Sequence, residues 1–413
     1  MERRIPSTGA LRWGASVLLA ALLAAAAVPE AVAATVRLQP VSPPQAPRVT
    51  ADAAILMDWR TGAVVWEKNA YERRAPASTT KIMSGLLVAE LGRPNDIVTV
   101  SRHAALTPGS TAGLKPGDRY TLDEILHGML LHSGNDACVA AAEHLAGSEA
   151  EFVALMNAKA REIGALATNF VNPHGLTAVG HYSTAYDLAV MARFALRNPL
   201  FARVVATQER HIRPELDGVA RDILLHNTNR LLWSFDGADG VKTGTTGAAG
   251  KCLVASATRD GRRLLAVVLH SSDRWGDAAR LLAYGFEAFT TVEFARAGQV
   301  VRTVPVQGGM ARRVALVAER DLVATVPKGS ETELELRVEA VSRPVAGFAT
   351  GAVLGRATIL QGQRNLLTVN LVAGRDVPRR TLTRVILAWL APLLRWQGRH
   401  GVGWVTGAAG ARA

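Results

Sequence analysis

Apolar residues are grouped along this chain of 413 residues in a way that predicts two β-hairpins far apart in the sequence. The first covers residues 53–66, where two mostly apolar segments flank the turn Arg60-Thr61-Gly62. The second covers residues 252–269, where Asp260-Gly261 separates two apolar segments. We expect the strands of both hairpins to share one antiparallel sheet, with a helix over residues 277–289 covering one face.

Between the hairpins the pattern is mostly helical. Thr121-Leu122-Asp123-Glu124 has the form of a capping box and opens an apolar helix that is predicted to run to about His132. A second helix is predicted over Asp136–Leu145 and stops at Gly147. Ser148-Glu149-Ala150-Glu151 caps a third.

The pattern changes to strict alternation after about residue 290. Charged and apolar residues alternate in Glu333–Glu339 and, less regularly, in Leu366–Val372, as in half-buried strands. The chain is therefore predicted to hold a mixed α/β unit over residues 51–290 and a small all-β domain over residues 291–376.

The first residues have the pattern of a secretory signal peptide. Three arginines among the first twelve residues precede the apolar stretch 15–28 and the small-residue sequence Ala31-Val32-Ala33. We predict that residues 1–33 direct export to the periplasm and that the Pro-rich residues 34–50 form a linker. The alternative is a retained helical anchor, for which the apolar core is short.

Residues 377–413 form a basic tail. They contain six arginines and no acidic residue after Asp376, so they supply half of the net charge of +12. Leu382, Val385, Ile386 and Trp389 follow helical spacing, and the apolar run is too short to span a bilayer. We expect an amphipathic helix that attaches the protein to a membrane surface, the alternative being a helix docked on the protein itself. No nucleic-acid motif accompanies the charge.

The chain has only two cysteines, Cys138 and Cys252, and both lie in apolar segments. Two cysteines in a chain of this length do not form a disulfide scaffold, so buried thiols are expected. The sequence indicates no metal site and no cofactor.

Three short motifs carry the chemistry of the chain. In order they are Ser78-Thr79-Thr80-Lys81, Ser133-Gly134-Asn135 and Lys242-Thr243-Gly244. Ser-x-x-Lys alone is common by chance, but the set in this order marks active-site serine enzymes that penicillins acylate. It supplies a nucleophile, a base, a relay and a carboxylate anchor.

The use of lysine supports a chemical role for the first motif. The helical pattern from Ser78 to Leu91 places Ser78 and Lys81 on one face. The chain contains seven lysines and 40 arginines, and two of the seven lysines, Lys81 and Lys242, fall in these motifs. Arginine cannot lose its proton and so cannot act as a general base. Burial and the second ammonium of Lys242 are expected to lower the pKa of Lys81.

These motifs and their surroundings resemble the low-molecular-mass penicillin-binding proteins, the D-alanyl-D-alanine carboxypeptidases of bacterial cell walls. The resemblance covers residues 50–290 strongly. It rests on the stretches Ala77–Met83, Ser133–Val139, Asn172–Leu176, Gly180–Ala185 and Asp239–Gly244. It implies an α+β penicillin-binding and serine β-lactamase-like transpeptidase fold, in which helices and a helical subdomain flank an antiparallel sheet. A small all-β domain and a C-terminal amphipathic helix follow.

The resemblance also implies the role of each motif residue. Lys81 would take the proton of Ser78, which would attack the penultimate D-Ala carbonyl of a peptidoglycan stem peptide and release terminal D-Ala. Ser133 would relay a proton to the leaving amine. The implied substrate-binding residues are Asn135, Lys242, Thr243, Gly244 and Thr245, with an oxyanion held by the backbone N–H groups of Ser78 and Thr245. β-Lactam antibiotics would acylate the same serine.

One position departs from the family pattern, and three further functions stay open. The family often has His directly after Lys-Thr-Gly, where this chain has Thr245, which bears on the rate of deacylation.

A β-lactamase would need a carboxylate base before Lys242; only Glu162 is near, and the expected stretch reads Asn172-Pro173-His174-Gly175. The same motifs would also suit a non-catalytic wall-binding module or an endopeptidase that acts on cross-links. His174 and His181 are expected to be structural.

Overall fold

The structure is a computed structural model that describes residues 45–216, 219–384 and 386. The predicted signal peptide and nearly all of the predicted tail helix lie outside the described residues. No helix in the described part is both long enough and apolar enough to cross a bilayer.

The first part of the fold combines strands and helices. Its strands are β1 (Ala53–Asp58), β2 (Val64–Lys68), β3 (Ile97–Thr99), β4 (Arg119–Thr121), β5 (Glu209–Ile212), β6 (Glu215–Leu216), β7 (Val219–Ala220), β8 (Ile223–His226), β9 (Ala238–Thr246), β10 (Gly250–Arg259) and β11 (Arg262–Ser271). Its helices are α1 (Lys81–Leu91), α2 (Arg102–Ala105), α3 (Leu122–Leu130), α4 (Asn135–Ala146), α5 (Glu149–Glu162), α6 (Ala185–Ala195), α7 (Pro199–Ala206), α8 (Leu231–Ser234) and α9 (Arg274–Ala288).

The main sheet has the order β2-β1-β11-β10-β9, and its neighbours are antiparallel. Both predicted hairpins are confirmed, and β1 pairs with β11, so Ala53 lies opposite Leu269. All six residues of β1 are buried because layers cover both faces of the sheet. Apolar residues of α9 such as Leu281 pack on one face, and the helical layer that contains α1 and α6 packs on the other.

The predicted caps of the helical part are confirmed. Thr121 and Glu124 make both hydrogen bonds of a capping box at the start of α3. Gly147 ends α4 with φ 80°, a left-handed conformation that glycine adopts at low cost. Ser148 accepts a hydrogen bond from the N–H of Glu151 at the start of α5. These caps fix where α3 and α5 begin and where α4, the helix that starts at Asn135, ends.

The second part of the fold is all-β. Its strands are β12 (Phe289–Ala295), β13 (Val300–Pro305), β14 (Arg313–Ala318), β15 (Leu322–Pro327), β16 (Leu334–Ala340), β17 (Val353–Gln361) and β18 (Arg364–Ala373). They form a β12–β15 pair and a five-stranded sheet of order β13-β14-β18-β17-β16 around a separate apolar core. In β16 half-buried leucines and valine alternate with exposed charged residues, as the sequence predicts.

The turn of the first hairpin joins the two parts. Asp58 is fully buried, and its Oδ2 accepts hydrogen bonds from Arg262 Nε at 3.1 Å and Thr291 Oγ1 at 3.1 Å. Arg60 forms ion pairs with Glu293 at 2.7 Å and Asp321 at 2.5 Å. The all-β domain is therefore tied by charged groups to the sheet that carries the site.

Candidate active site

The first motif begins with a tight turn and then becomes an α-helix. Residues Ala77–Thr80 form one turn of 3₁₀ helix, and α1 starts at Lys81, so the predicted single helix from Ser78 is wrong in its first turn. Side chains three residues apart lie directly above one another in a 3₁₀ turn. Lys81 Nζ is accordingly 3.1 Å from Ser78 Oγ. Ala77, just before the serine, has φ 48°, which is rare for a residue with a side chain.

Lys81 is fully buried and its amine has three acceptors. Besides Ser78, Nζ donates to Asn135 Oδ1 at 2.7 Å and to the backbone carbonyl of His174 at 2.8 Å. Burial disfavours the charged form, so the pKa of Lys81 is lowered, against the opposing influence of Cys138 and Asp136. A lysine with a lowered pKa in contact with a serine hydroxyl can accept its proton.

Lys242 is also buried, on β9, and donates to the carbonyl of Thr243 at 3.2 Å. Its pKa is lowered well below the ordinary value, first by burial and then by the charge of Lys81. The charge of Lys81 thus disfavours the charged form of Lys242, with burial the larger cause. For Lys81 itself burial is what lowers the pKa, so the expected contribution of Lys242 to that shift stays a prediction.

The second motif lies at the start of α4. Ser133 is buried with φ 66°, and its hydroxyl has no hydrogen-bond partner among the described residues. Asn135 is the first residue of α4; its Nδ2 donates to the carbonyl of Pro108 at 2.7 Å, while its Oδ1 accepts from Lys81. The amide of Asn135 is therefore fixed against Lys81, and Ser133 precedes it by two residues.

The third motif lies on the edge strand β9, next to the serine turn. A Cβ atom at Gly244 would be 3.0 Å from the backbone nitrogen of Ser78, so glycine allows strand and turn to approach closely. Thr243 Oγ1 shares a hydrogen bond of 2.7 Å with Thr228 Oγ1. The turn of Ser78 therefore contacts α4 through Lys81 and Asn135, and it contacts β9 at Gly244. Of the other predicted residues, Ser133 lies just before α4, and Lys242, Thr243 and Thr245 lie on β9.

Two side chains at this strand were not found by sequence reasoning. Arg274 Nη1 donates to Thr245 Oγ1 at 2.8 Å and to the carbonyl of Gly244 at 3.0 Å. Thr228 binds Thr243 as described above. Neither residue belongs to a short motif. Arg274 lies 29 residues beyond Thr245 in the sequence, and β11 and the start of α9 bring it to β9. They add a cation and a hydroxyl to the part of the site that β9 forms.

The histidines support the loop that faces Lys81. His181 Nε2 is 2.9 Å from Thr80 Oγ1, and its Nδ1 accepts from the N–H of Val171 at 3.0 Å. Burial lowers the pKa of His181 to about 4, and burial together with the charge of Lys81 lowers that of His174 to about 3. Both are therefore neutral at neutral pH, and the contact of His174 with Lys81 is made by its backbone carbonyl.

The thiols are free and buried, as predicted. Burial raises the pKa of Cys138 to about 11, and its Sγ donates to the carbonyl of Gly134 at 3.2 Å. A protonated, buried thiol is a poor nucleophile. Within the described ranges no group of three or more His, Cys, Asp or Glu side chains has a geometry that could hold a metal ion.

A half-buried serine in contact with a buried lysine, with a second buried lysine on the neighbouring edge strand of an α+β scaffold, defines the active-site serine class of penicillin-binding proteins. The family model for D-alanyl-D-alanine carboxypeptidase matches residues 40–273, and that for the C-terminal domain of penicillin-binding protein 5 matches residues 289–379. This chain belongs to the D-alanyl-D-alanine carboxypeptidase family. The predicted penicillin-binding fold with a small all-β domain is confirmed.

Curated relatives and solved structures agree with this assignment. The chain is 37% identical over 335 residues to the D-alanyl-D-alanine carboxypeptidase DacF of Bacillus subtilis, covering 79% of this chain and 85% of the relative. It is 38% identical over 306 residues to DacC of Escherichia coli, covering 70% and 75%. Penicillin-binding protein 5 of Haemophilus influenzae superposes with a TM-score of 0.72 at 31% identity, covering 82% of this chain and all of that one.

Proposed function

We propose that this chain is a serine D-Ala-D-Ala carboxypeptidase that removes terminal D-Ala from peptidoglycan stem pentapeptides through an acyl-enzyme on Ser78. The observation that carries the proposal is the contact of 3.1 Å between Nζ of the buried Lys81 and Oγ of the half-buried Ser78. Family membership supports the reaction class.

In the acylation step Lys81 takes the proton of Ser78, whose oxygen attacks the penultimate D-Ala carbonyl. The lowered pKa of Lys81 favours the neutral amine that this step requires. The backbone N–H groups of Ser78 and Thr245 stabilise the oxyanion. The free hydroxyl of Ser133 passes a proton to the leaving amine of D-Ala, and water then hydrolyses the ester.

Two groups of residues position the peptide. Lys242 and Thr243 bind its terminal carboxylate, and the guanidinium of Arg274, fixed on Gly244 and Thr245, adds positive charge at the same edge. Asn135 orients the amide on the other side of the scissile bond. β-Lactams present a carboxylate and a strained amide in the same arrangement, so they acylate Ser78.

A β-lactamase function is less well supported by the surroundings of the site. Glu162, the carboxylate that the sequence offered for deacylation, is 62% exposed and pairs with Lys159 at 3.0 Å. The loop that faces Lys81 contributes the backbone carbonyl of His174 instead of a carboxylate.

The activity can be tested with a diacetyl-Lys-D-Ala-D-Ala peptide and a labelled penicillin. Wild-type protein is expected to release D-Ala and to hold a stable label, and Ser78→Ala to do neither. Ser342→Ala, which changes an exposed serine of the all-β domain, serves as the matched control. Rapid turnover of penicillin would favour a β-lactamase, and no D-Ala release by wild-type protein would leave only a binding module.

We also propose that the protein is exported and is held at the outer face of the cell membrane by its basic tail. Support comes from the sequence pattern and from the first residues of the tail, where the side chains of Leu382 and Ile386 are 85% and 54% exposed. Arg379 and Arg380 hydrogen-bond the all-β domain, so the chain is best cut after Thr381. Loss of the tail should move the protein to the soluble fraction, and unchanged fractionation would refute the anchor.

A further inference from the structure

Two loops of the all-β domain lie against the start of the tail. One connects β13 and β14, and the other connects β16 and β17. The first pairs with Arg379 and the second with Val377 in isolated bridges, and the two loops also pair with each other. These segments therefore form one surface. We call it the tip and define it as residues 305–313, 340–353 and 373–384.

The tip lies at the end of the five-stranded sheet that is remote from Arg60. Arg60 forms its ion pair with Asp321, which follows the end of β14. Arg313, at the start of β14, lies opposite Pro305 in the tip. The six residues of β14 separate these two ends by about 20 Å. The tip is therefore free of the contacts that join the all-β domain to the sheet of the active site.

Apolar side chains are exposed mainly at this end of the domain. The all-β domain, whose residues 291–376 are all described, exposes five large apolar side chains, and four of them belong to the tip: Met310, Val341, Val345 and Val353. The fifth, Val300, lies at the opposite end, where β13 begins. Val345 is 63% exposed. Several exposed apolar side chains at one end of a domain indicate a contact surface, whereas single ones do not.

Positive charge is concentrated in the same place. The tip contains seven arginines and one acidic residue, Asp376. None of the seven forms an ion pair with a described carboxylate; the arginines of the all-β domain that do are Arg296 and Arg337. At the opposite end, three arginines and two acidic residues lie in the turns 295–300, 318–322 and 361–364. The tip is thus both apolar and strongly basic, and the remainder of the domain is not.

We propose that the tip is a second lipid-binding surface, which contacts an anionic membrane beside the tail. Met310, Val341 and Val345 enter the headgroup region, and arginines such as Arg343 lie against lipid phosphates. The tail leaves the domain from this surface, so the tip and the tail reach the same membrane. The inference rests on the proposed attachment by the tail and adds an orientation, because a second contact fixes the direction of the all-β domain.

An anionic bilayer accounts for both kinds of side chain at the tip. It offers phosphate at its surface and hydrocarbon directly beneath. A soluble anionic polymer would bind the arginines through their charge but would leave the exposed valines in water. An apolar protein partner would cover the valines but would leave the positive charge without a counterpart. Charge and apolar exposure together therefore favour lipid.

The first test places an environment-sensitive dye on the tip of the full chain. Val345→Cys is labelled with a nitrobenzoxadiazole reagent without unfolding, and because Cys138 and Cys252 are buried the dye is directed to the new thiol. On binding to phosphatidylcholine vesicles that contain a quarter phosphatidylglycerol, the emission is expected to shift to shorter wavelength and to resist quenching by iodide. Val300→Cys, labelled in the same way at the opposite end, should keep its spectrum. An unchanged spectrum at position 345 in vesicle-bound protein would overturn the contact.

The second test measures the partition constant of the full chain between water and the same vesicles. Arg343→Gln is expected to lower it about fivefold, as for one arginine near an anionic surface. Val345→Ser should lower it about threefold through the lost apolar area. Arg364→Gln and Val300→Ser change exposed residues at the opposite end and should stay within twofold of wild type. A loss with Arg343→Gln but none with Val345→Ser, together with equally tight binding to dextran sulfate in solution, would assign the tip to a soluble polymer and overturn the lipid contact.

Deletion of the tail after Thr381 separates the tip from the proposed anchor. If the shortened protein loses nearly all vesicle binding and the probe at position 345 of the full chain reports no lipid, the tail stands and the tip is overturned. If the shortened protein binds as tightly as the full chain and Arg343→Gln and Val345→Ser weaken both, the tip stands and the tail anchor fails. Absence of binding by the full chain would overturn both.

Discussion

Protonation of His181 is expected to weaken the folded state as the pH falls below 7. The ring is buried, and its Nδ1 accepts a hydrogen bond from the N–H of Val171 at 3.0 Å. Nε2 must therefore carry the single proton of the neutral ring and donate to Thr80 Oγ1 at 2.9 Å. A second proton on Nδ1 would remove the lone pair that accepts from Val171 and would leave two N–H donors facing each other inside the protein. Burial of the ring, which disfavours its charged form, lowers the pKa of His181 to about 4.

The size of the effect follows from the two protonation equilibria. The ordinary histidine pKa is 6.5 and the pKa in the fold is about 4. Between these values the unfolded chain binds more protons than the folded protein, so stability rises with pH and is lost as pH falls through this window. From pH 7 to pH 4.5 the free energy of unfolding should fall by about 2.5 kcal/mol because of His181 alone.

The measurement is urea unfolding at pH 7 and pH 4.5 for wild type, His181→Gln and His144→Gln. His181→Gln removes the titrating group, so its loss of stability between the two pH values should be smaller than that of wild type by about 2 to 3 kcal/mol. His144 is exposed on α4, so its replacement should leave the wild-type difference unchanged. An equal pH dependence in all three proteins would refute the neutral buried tautomer.

Three further predictions concern the site and its support. Lys81→Arg keeps the charge but cannot accept a proton, so penicillin acylation should fall at least about 100-fold; a fall under tenfold, or an equal fall in Lys159→Arg, would contradict the assigned base. Gly244→Ala places a Cβ 3.0 Å from the Ser78 nitrogen and should slow acylation about tenfold, whereas Gly247→Ala, with open space around it, should not; equal rates would argue against this contact. Asp58→Asn leaves the buried guanidinium of Arg262 without its charge partner and should lower the free energy of unfolding by about 3 to 5 kcal/mol in chemical denaturation. The control is Asp236→Asn, which removes an exposed carboxylate that pairs with Arg259 at 3.5 Å. Similar losses in both variants would show that burial does not set the cost.

Local signals predicted much of the framework. Asp260-Gly261 identified the second hairpin because few dipeptides fit its tight turn, and Thr121 with Glu124 identified the start of α3 because the two side chains satisfy the free backbone groups there. Ser78 and Lys81 could be paired from their spacing alone. In each case residues within a few positions of one another determine the structure, so the sequence contains the signal.

Other parts of the site could not be read from the chain. Arg274 reaches Thr245 only because β11 and α9 return to the edge of β9. Pro108 and His174 hold Asn135 and Lys81 through backbone carbonyls, which every residue type possesses. The 3₁₀ turn before α1 was also missed, because apolar spacing does not distinguish a 3₁₀ turn from the first turn of an α-helix.

At Ala77 and Ser133, which have a left-handed backbone conformation, the requirements of stability and of catalytic geometry conflict. Such a conformation costs a residue with a side chain about 1 kcal/mol or more, and glycine would relieve most of that cost. Selection for heat-resistant variants should therefore favour glycine at these two positions. Each glycine would raise stability but would also make the backbone beside Ser78 or Asn135 more flexible. Selection for thermal stability without a screen for activity is therefore expected to lose the catalytic geometry at these two positions.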